Sequence, residues 1–373
     1  MPLVPSYIEN LENYVPGKPI EEVQRELGLD HIDKLASNEN PIGPSPKAVN
    51  EIKKSLNNLH CYPDASGYNL RNKLAKAFNI KMGNVILGAG SEGIMSTIIR
   101  TFLMGNDEMI SASNSFIGFR VLANASGKKV HWVPMKNHRY DLKSMVKILN
   151  DQTKIIYIAN PDNPMGTYIT KEEFDVFYSY VPKRVLIILD EAYFEYAKSK
   201  DDYPDSMDYR YDNVITLRTF SKAYGLAGLR IGYGFAHDRL INNLMKVKEP
   251  FEPSSIAMTA GTAAMDDKDF LEKTLLLNQA GYEFLKLKLS KLKIATIPSV
   301  ANFITTVWPS KKEASYISNA LLEKGIIVRN LSPFGWPNCI RISIGTKEQN
   351  NRLITELKTI CLLYTSPSPR DRG

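Results

Sequence analysis

Hydrophobic positions along this chain fall into two regimes. From Val85 to about Ala264, short apolar runs alternate with stretches of helical spacing across polar or Gly/Pro turns. Val85-Ile86-Leu87, Ile155-Ile156-Tyr157-Ile158, Val185-Leu186-Ile187-Ile188-Leu189 and Val214-Ile215-Thr216-Leu217 are short, β-branched runs. The third reads as a strand buried on both faces. Ile94, Ile98 and Ile99 carry helical spacing between the first two of these strands. Such alternation predicts an α/β domain around a mostly parallel sheet. From about Phe270 to Lys293 the pattern becomes one long helix, with Leu271, Leu275, Leu276, Leu277 and Leu285. Beyond it, Ile294-Ala295-Thr296-Ile297, Asn302 to Val307, Ile326-Ile327-Val328 and Cys339 to Ile344 read as strands around helices, a smaller α+β domain. The spacing of Leu353, Ile354 and Leu357 predicts a last helix ending near Ile360.

The expected organisation is an N-terminal arm over 1–40 that joins the small domain, a large domain over 41–268, a small domain over 269–360, and a tail over 361–373. Ser366-Pro367-Ser368-Pro369-Arg370-Asp371-Arg372 is Pro/Ser/Arg-rich and apolar-poor, so the tail reads as a non-native or disordered extension. A length of 373 residues suits two domains, and 43% hydrophobic with 23% charged residues is ordinary for a globular protein. Net charge is +7, but the lysines are spread along helices rather than interleaved with aromatics, which argues against nucleic-acid binding. No apolar run reaches the length of a membrane span, and Met1-Pro2-Leu3-Val4-Pro5-Ser6 lacks the build of a signal peptide. Cys61, Cys339 and Cys361 form neither a disulfide framework nor a zinc pattern, and the five histidines show no ligand spacing. No metal site is expected, and the expected compartment is the cytoplasm.

Four polar segments follow the strand-like runs. Arg218-Thr219-Phe220-Ser221-Lys222 places a lysine in a hydroxyl-rich turn, with Arg230 eight positions on. A lysine amine of depressed pKa forms a Schiff base with an aldehyde, and hydroxyls with an arginine make a phosphate seat. Asp190 and Glu191 stand at the carboxyl end of the doubly buried strand, the edge of open α/β sheets where ligands bind. A carboxylate there can hold a pyridine nitrogen protonated. Tyr193 lies three residues on. Asn160-Pro161-Asp162-Asn163-Pro164-Met165-Gly166-Thr167 fixes a tight turn from which Asn163 projects its amide. Gly88-Ala89-Gly90-Ser91-Glu92-Gly93 opens a helix with free backbone N–H groups, a seat for an anion. Gly88, Gly90 and Gly93 also spell the dinucleotide fingerprint, but Met109-Ile110 leads into Ser111, Ala112 and Ser113 instead of an acidic residue.

In this order the four segments resemble the fold-type I, pyridoxal-phosphate-dependent aminotransferases of the class I/II group. Tyr14-Val15-Pro16-Gly17-Lys18-Pro19, the stretch Leu35 to Pro46 and Tyr62-Pro63-Asp64 are similar to the histidinol-phosphate aminotransferase branch, and the likeness covers about residues 5 to 360. The resemblance implies an α/β fold with a large cofactor-binding domain and a smaller α+β domain. It implies a transamination of L-histidinol phosphate with 2-oxoglutarate. An aromatic amino-acid aminotransferase is the runner-up and a phosphothreonine decarboxylase the third reading. A DNA-binding regulator of aminotransferase type would need a helix-turn-helix before Asn38, where Pro5, Pro16 and Pro19 leave no room. By the same resemblance Lys222 carries the cofactor aldehyde and moves the proton, Asp190 pairs with the ring nitrogen, and Tyr193 and Asn163 bond the phenolic oxygen. Phe116 stacks on the ring. Gly90, Ser91, Thr219, Ser221 and Arg230 hold the phosphate, joined by Tyr62 from the neighbouring subunit of a homodimer. Tyr14, Asn38, Arg329 and Arg341 belong to the substrate. The chain departs from the family pattern at Met165, at Phe119 where tyrosine is common, and at Glu252, Pro253 and Ser254. The last three are expected to bear on the substrate pocket or the dimer contact.

Overall fold

The computed structural model describes residues 3–13, 17–209 and 211–365. Among these, seven strands form the central sheet: β1 (Val85–Gly88), β2 (Glu108–Ala112), β3 (Val130–Val133), β4 (Thr153–Ala159), β5 (Leu186–Asp190), β6 (Val214–Thr219) and β7 (Gly232–Phe235). Their order across the sheet is β1-β7-β6-β5-β4-β2-β3. Every neighbouring pair is parallel except those of β7, which runs antiparallel to both β1 and β6. The doubly buried character of β5 follows from the pleat. Ile188 enters the core with Ile98 and Tyr157 on one face, while Ile187 and Leu189 join Phe174 and Ile158 on the other. Truncating such an isoleucine to alanine costs about 2–5 kcal/mol.

Helices cover both faces. α1 (Gly90–Phe102) begins two residues after β1 and buries Ile94, Met95 and Ile98 against the sheet. α2 (Ile117–Ala125) follows β2, and α3 (Lys171–Tyr180) is opened by Thr170 and Glu173, each bonding the other's backbone N–H. The predicted long helix is α4 (Lys268–Lys291), which buries Leu285 and Leu289 in a separate core with Ile304, Ile340 and Leu357. That core backs a four-stranded antiparallel sheet of β8 (Ala295–Ile297), β9 (Phe303–Val307), β10 (Arg329–Asn330) and β11 (Cys339–Ser343), in the order β10-β11-β9-β8. The N-terminal segment forms a separate two-stranded sheet beside it: Asp33–Lys34 pairs in parallel with Ile326–Ile327. The final helix, α5 (Lys347–Thr365), runs five residues beyond the expected end near Ile360. Cys361 still packs on the small core, so the periodicity of Leu353 and Leu357 continues further than its strongest residues suggest. Residues 366–373 of the expected tail lie outside the described residues. Among the described residues, no helix is long and apolar enough to cross a membrane.

Candidate active site

The carboxyl ends of the parallel strands and the start of α1 surround a cavity of about 200 Å³. Gly90, Ser91, Phe116, Asn163, Asp190, Tyr193, Thr219, Ser221, Lys222 and Arg230 all line it. Larger grooves, of about 760, 840, 490 and 230 Å³, lie elsewhere, and none of these is lined by Lys222, Asp190 or Arg230.

The phosphate-like end of the cavity is made by close approach. Gly90 has φ +72°, and a Cβ there would stand 2.8 Å from Nη2 of Arg230. Gly232, at the start of β7, lies so near the turn that a Cβ would meet Gly90 C and Ser91 N at 2.5 Å. Both positions therefore require glycine. Thr219 Oγ1 and Ser221 Oγ are 2.9 Å apart, and Ser221 N donates to Thr219 Oγ1 at 3.1 Å. Arg230 is half-exposed and left-handed at φ 52°, and its Nη2 donates to Glu92 Oε2 at 3.0 Å. In the sequence Glu92 is one letter of the glycine motif, with nothing local to mark its pairing with Arg230. Glu252 was expected at the substrate or the dimer contact. Its Oε1 accepts from Ala89 N at 2.5 Å, behind the glycine turn.

At the centre, Lys222 Nζ donates to the Ser37 carbonyl at 3.3 Å. Burial, aided by the positive charge of Arg341, pushes its amine down to about 8. Asp190 and Glu191 part company at the end of β5. Glu191 turns to the fully buried Arg218, accepting from its Nε at 2.9 Å and pairing with its Nη2 at ion-pair distance, 2.8 Å. Asp190 faces the cavity, with Oδ2 accepting from the Tyr157 hydroxyl at 2.7 Å. Its Oδ1 is buried with no hydrogen-bond partner among the described residues. Burial without a cation pushes the Asp190 carboxyl up to about 7.

The turn carrying Asn163 is fixed from several sides. Asn160 Oδ1 accepts from Ile169 N at 2.7 Å, and Asp162 accepts from Ser115 Oγ at 2.6 Å and Met165 N at 3.0 Å. Ser115 precedes Phe116, so Asp162 ties together the loops that carry Phe116 and Asn163. The Asn163 amide oxygen accepts from Arg341 Nη1, which leaves its NH₂ as the group free to donate. Arg341 is buried and also donates from Nη2 to the Ala36 carbonyl at 2.7 Å. Arg329 is its cross-strand neighbour, Arg329 pairing with Arg341 in the β10–β11 register. Two arginines thus share one edge of the small sheet.

Asn38, expected on the substrate, donates from Nδ2 to the Tyr193 hydroxyl at 2.9 Å. Burial pushes that phenol up to about 12, so it stays protonated. Tyr62 does not line its own chain's cavity: it is 81% exposed and stacked on Phe251 with centroids 4.5 Å apart. Tyr14 lies outside the described residues.

A ligand carrying an aldehyde, a basic ring nitrogen and a phosphate fits this donor set. It finds an amine of lowered basicity, an unpaired buried carboxylate oxygen, and a glycine turn beside an arginine.

Comparison with known proteins agrees over nearly the full length. Residues 30–357 match the family Aminotransferase class I and II. The chain is 40% identical over 360 residues to histidinol-phosphate aminotransferase 2 of Carboxydothermus hydrogenoformans, covering 96% of this chain and 99% of that protein. It is 41% identical over 355 residues to histidinol-phosphate aminotransferase 1 of Nitrosococcus oceani, covering 95% of each. The crystal structure of the Sinorhizobium meliloti histidinol-phosphate aminotransferase in complex with pyridoxal-5'-phosphate superposes with a TM-score of 0.89 at 27% identity, over 98% of this chain and 99% of that one. The chain therefore belongs to the class I and II aminotransferases, on their histidinol-phosphate aminotransferase branch, and is an enzyme dependent on pyridoxal 5'-phosphate.

Proposed function

We propose that the enzyme exchanges the amino group of L-histidinol phosphate with 2-oxoglutarate, giving imidazole acetol phosphate and L-glutamate. The observation that carries this reading is the pair Arg329–Arg341, adjacent across one strand pair beside the lysine cavity. A planar guanidinium reads a phosphate or a carboxylate through paired donors. Histidinol phosphate has no α-carboxylate, so its phosphate supplies the anion in one half-reaction and the carboxylates of glutamate supply it in the other.

When bound, pyridoxal phosphate supplies an aldehyde that takes up the amino group and a ring that withdraws electrons from the carbon losing a proton. Gly90, Ser91, Thr219, Ser221 and Arg230 would hold its phosphate, Phe116 one face of its ring, Asp190 its ring nitrogen, and Asn163 and Tyr193 its phenolic oxygen. Lys222 Nζ, largely buried and with its basicity lowered, is the base that takes the proton from the substrate carbon bearing nitrogen. Arg341 serves twice: it receives the substrate anion and holds the Asn163 amide so that NH₂, not oxygen, is offered. Arg329 would complete the anion site, a role the family resemblance also implies for Tyr14.

The active unit in this reading is a symmetric homodimer. Leu56, Leu59, Tyr62 and Tyr68 are exposed within one short stretch, and Tyr62 stacks on the exposed Phe251; in the dimer Tyr62 would reach the partner's cofactor phosphate. Single-turnover spectra with histidinol phosphate, phenylalanine, tyrosine and phosphothreonine test the substrate. Histidinol phosphate should discharge the cofactor absorbance with the highest kcat/KM. Faster turnover of phenylalanine or tyrosine would replace this reading with an aromatic aminotransferase, and CO₂ release from phosphothreonine would replace it with a decarboxylase.

A further inference from the structure

Tyr157 was read only as one letter of the apolar run that becomes β4. Its ring is fully buried, and it lies against Phe119 with centroids 4.0 Å apart and planes 6° from parallel. Register places Ala159, two residues on, opposite Asp190. The tyrosine side chain thus rises from the neighbouring strand, and its hydroxyl donates to Asp190 Oδ2 at 2.7 Å.

We propose that Tyr157 is a positioning residue for the cofactor's ring: its hydroxyl occupies Oδ2 of Asp190, leaving Oδ1 as the oxygen offered to the ring nitrogen. The inference rests on the reading of Asp190 as the ring partner. Geometry supports it in two ways. Oδ1 is buried and unpartnered while Oδ2 is taken, so the two oxygens are already assigned separate duties. The Phe119 stack removes rotational freedom from the Tyr157 ring, so the donor is fixed before any ligand arrives.

Charge points the same way. Burial and the neighbouring carboxylates of Glu92 and Glu191 push Asp190 towards its neutral form, and among protein side chains the Tyr157 hydrogen bond opposes them, with the Ala192 N–H helping. Tyr140 and Tyr193 also lie close enough to sense its charge. Burial first, and then Asp190 itself, holds the Tyr157 phenol well above its ordinary range, so it remains a donor throughout the working pH range. A neutral Asp190 could not hold a ring nitrogen protonated, and withdrawal of electrons from the substrate carbon would weaken.

The test uses the holoenzyme reconstituted with pyridoxal phosphate carrying nitrogen-15 in the ring. Tyr157→Phe keeps the ring and its stacking on Phe119 and removes only the hydroxyl. The nitrogen signal should move from the protonated towards the unprotonated pyridine position, and kcat should fall roughly 10- to 100-fold, the scale of a lost hydrogen bond to a charged group. KM for glutamate should hold, because Arg329 and Arg341 are untouched. Phe119→Leu disturbs the packing but leaves the hydroxyl, so its nitrogen signal should stay near that of the wild type. An unmoved signal in Tyr157→Phe, or an equal displacement in Phe119→Leu, overturns the proposal. Asp190→Asn separates it from the reading beneath. If Asp190→Asn shifts the signal and Tyr157→Phe does not, only the tyrosine's role fails; if neither does, the Asp190 assignment fails too.

Discussion

The depressed basicity of Lys222 can be measured without turnover by moving cofactor-free enzyme from pH 7 to pH 9. With the amine at about 8, about one lysine in eleven is neutral at pH 7 and about ten in eleven at pH 9. Reaction with an aldehyde should therefore rise about tenfold and then level off. A lysine at the ordinary 10.5 starts near one neutral amine in three thousand and gains about a hundredfold over the same interval with no plateau. Reductive methylation with formaldehyde, followed by mass spectrometry of the lysine peptides, reads both profiles in one tube, with an added free lysine peptide as reference. Accessibility scales the absolute rate of a site but not the shape of its pH curve. The causes named for the shift add a second arm: burial dominates, and Arg341 contributes next. Arg341→Ala should move the plateau to higher pH without reaching the reference profile. A Lys222 curve parallel to that of the free lysine peptide would refute the account of a buried, depressed amine.

Borohydride treatment of the holoenzyme should fix cofactor to the Lys222 peptide, and Lys222→Ala should lose transamination by orders of magnitude; label on another lysine defeats the assignment. Arg329→Ala should weaken histidinol phosphate more than glutamate, and Arg341→Ala should weaken both, by about 30- to 1000-fold in kcat/KM where a charged contact is lost. Equal effects of Arg329→Ala on both substrates would remove its phosphate-reading role. Gly90→Ala should lower cofactor affinity and stability together, by about 1 kcal/mol or more for the left-handed residue alone, read by cofactor titration and thermal melting. Mixing Tyr62→Ala with Lys222→Ala chains should partly restore activity through heterodimers with one intact site; a fully active monomer by sedimentation contradicts the shared site.

The parallel strands were legible because each is buried on both faces and so is written as an uninterrupted β-branched run. β7 was not, since Gly232-Tyr233-Gly234-Phe235 alternates glycine with aromatics and reads as a turn. Its glycines serve close approach to Gly90 and β6 rather than strand propensity. Lys222, Asp190, Asn163 and Arg230 could be found because each follows a strand at a turn of unusual composition. Tyr157 and Glu92 could not. Nothing local distinguishes a tyrosine whose hydroxyl meets a carboxylate on the next strand from a core aromatic, and Glu92's arginine lies far along the chain. For Asn38 the sequence shows its neighbourhood and not its direction; the left-handed backbone at φ 54° turns its amide to Tyr193.

The antiparallel return of β7 beside β6 has a consequence for how this protein tolerates change in length. Lys222 and Arg230 stand on one short connection whose two ends are pinned to adjacent strands. On the reading above, that connection grips a single rigid molecule at its aldehyde and at its phosphate, so the molecule acts as a gauge. Surface loops elsewhere absorb inserted residues at little cost. Here one added or missing residue between Lys222 and Arg230 would put the amine and the guanidinium out of step with a ligand that cannot stretch. Insertions and deletions should therefore be purged from this segment even where its exposed residues, such as Gly228, are freely substituted.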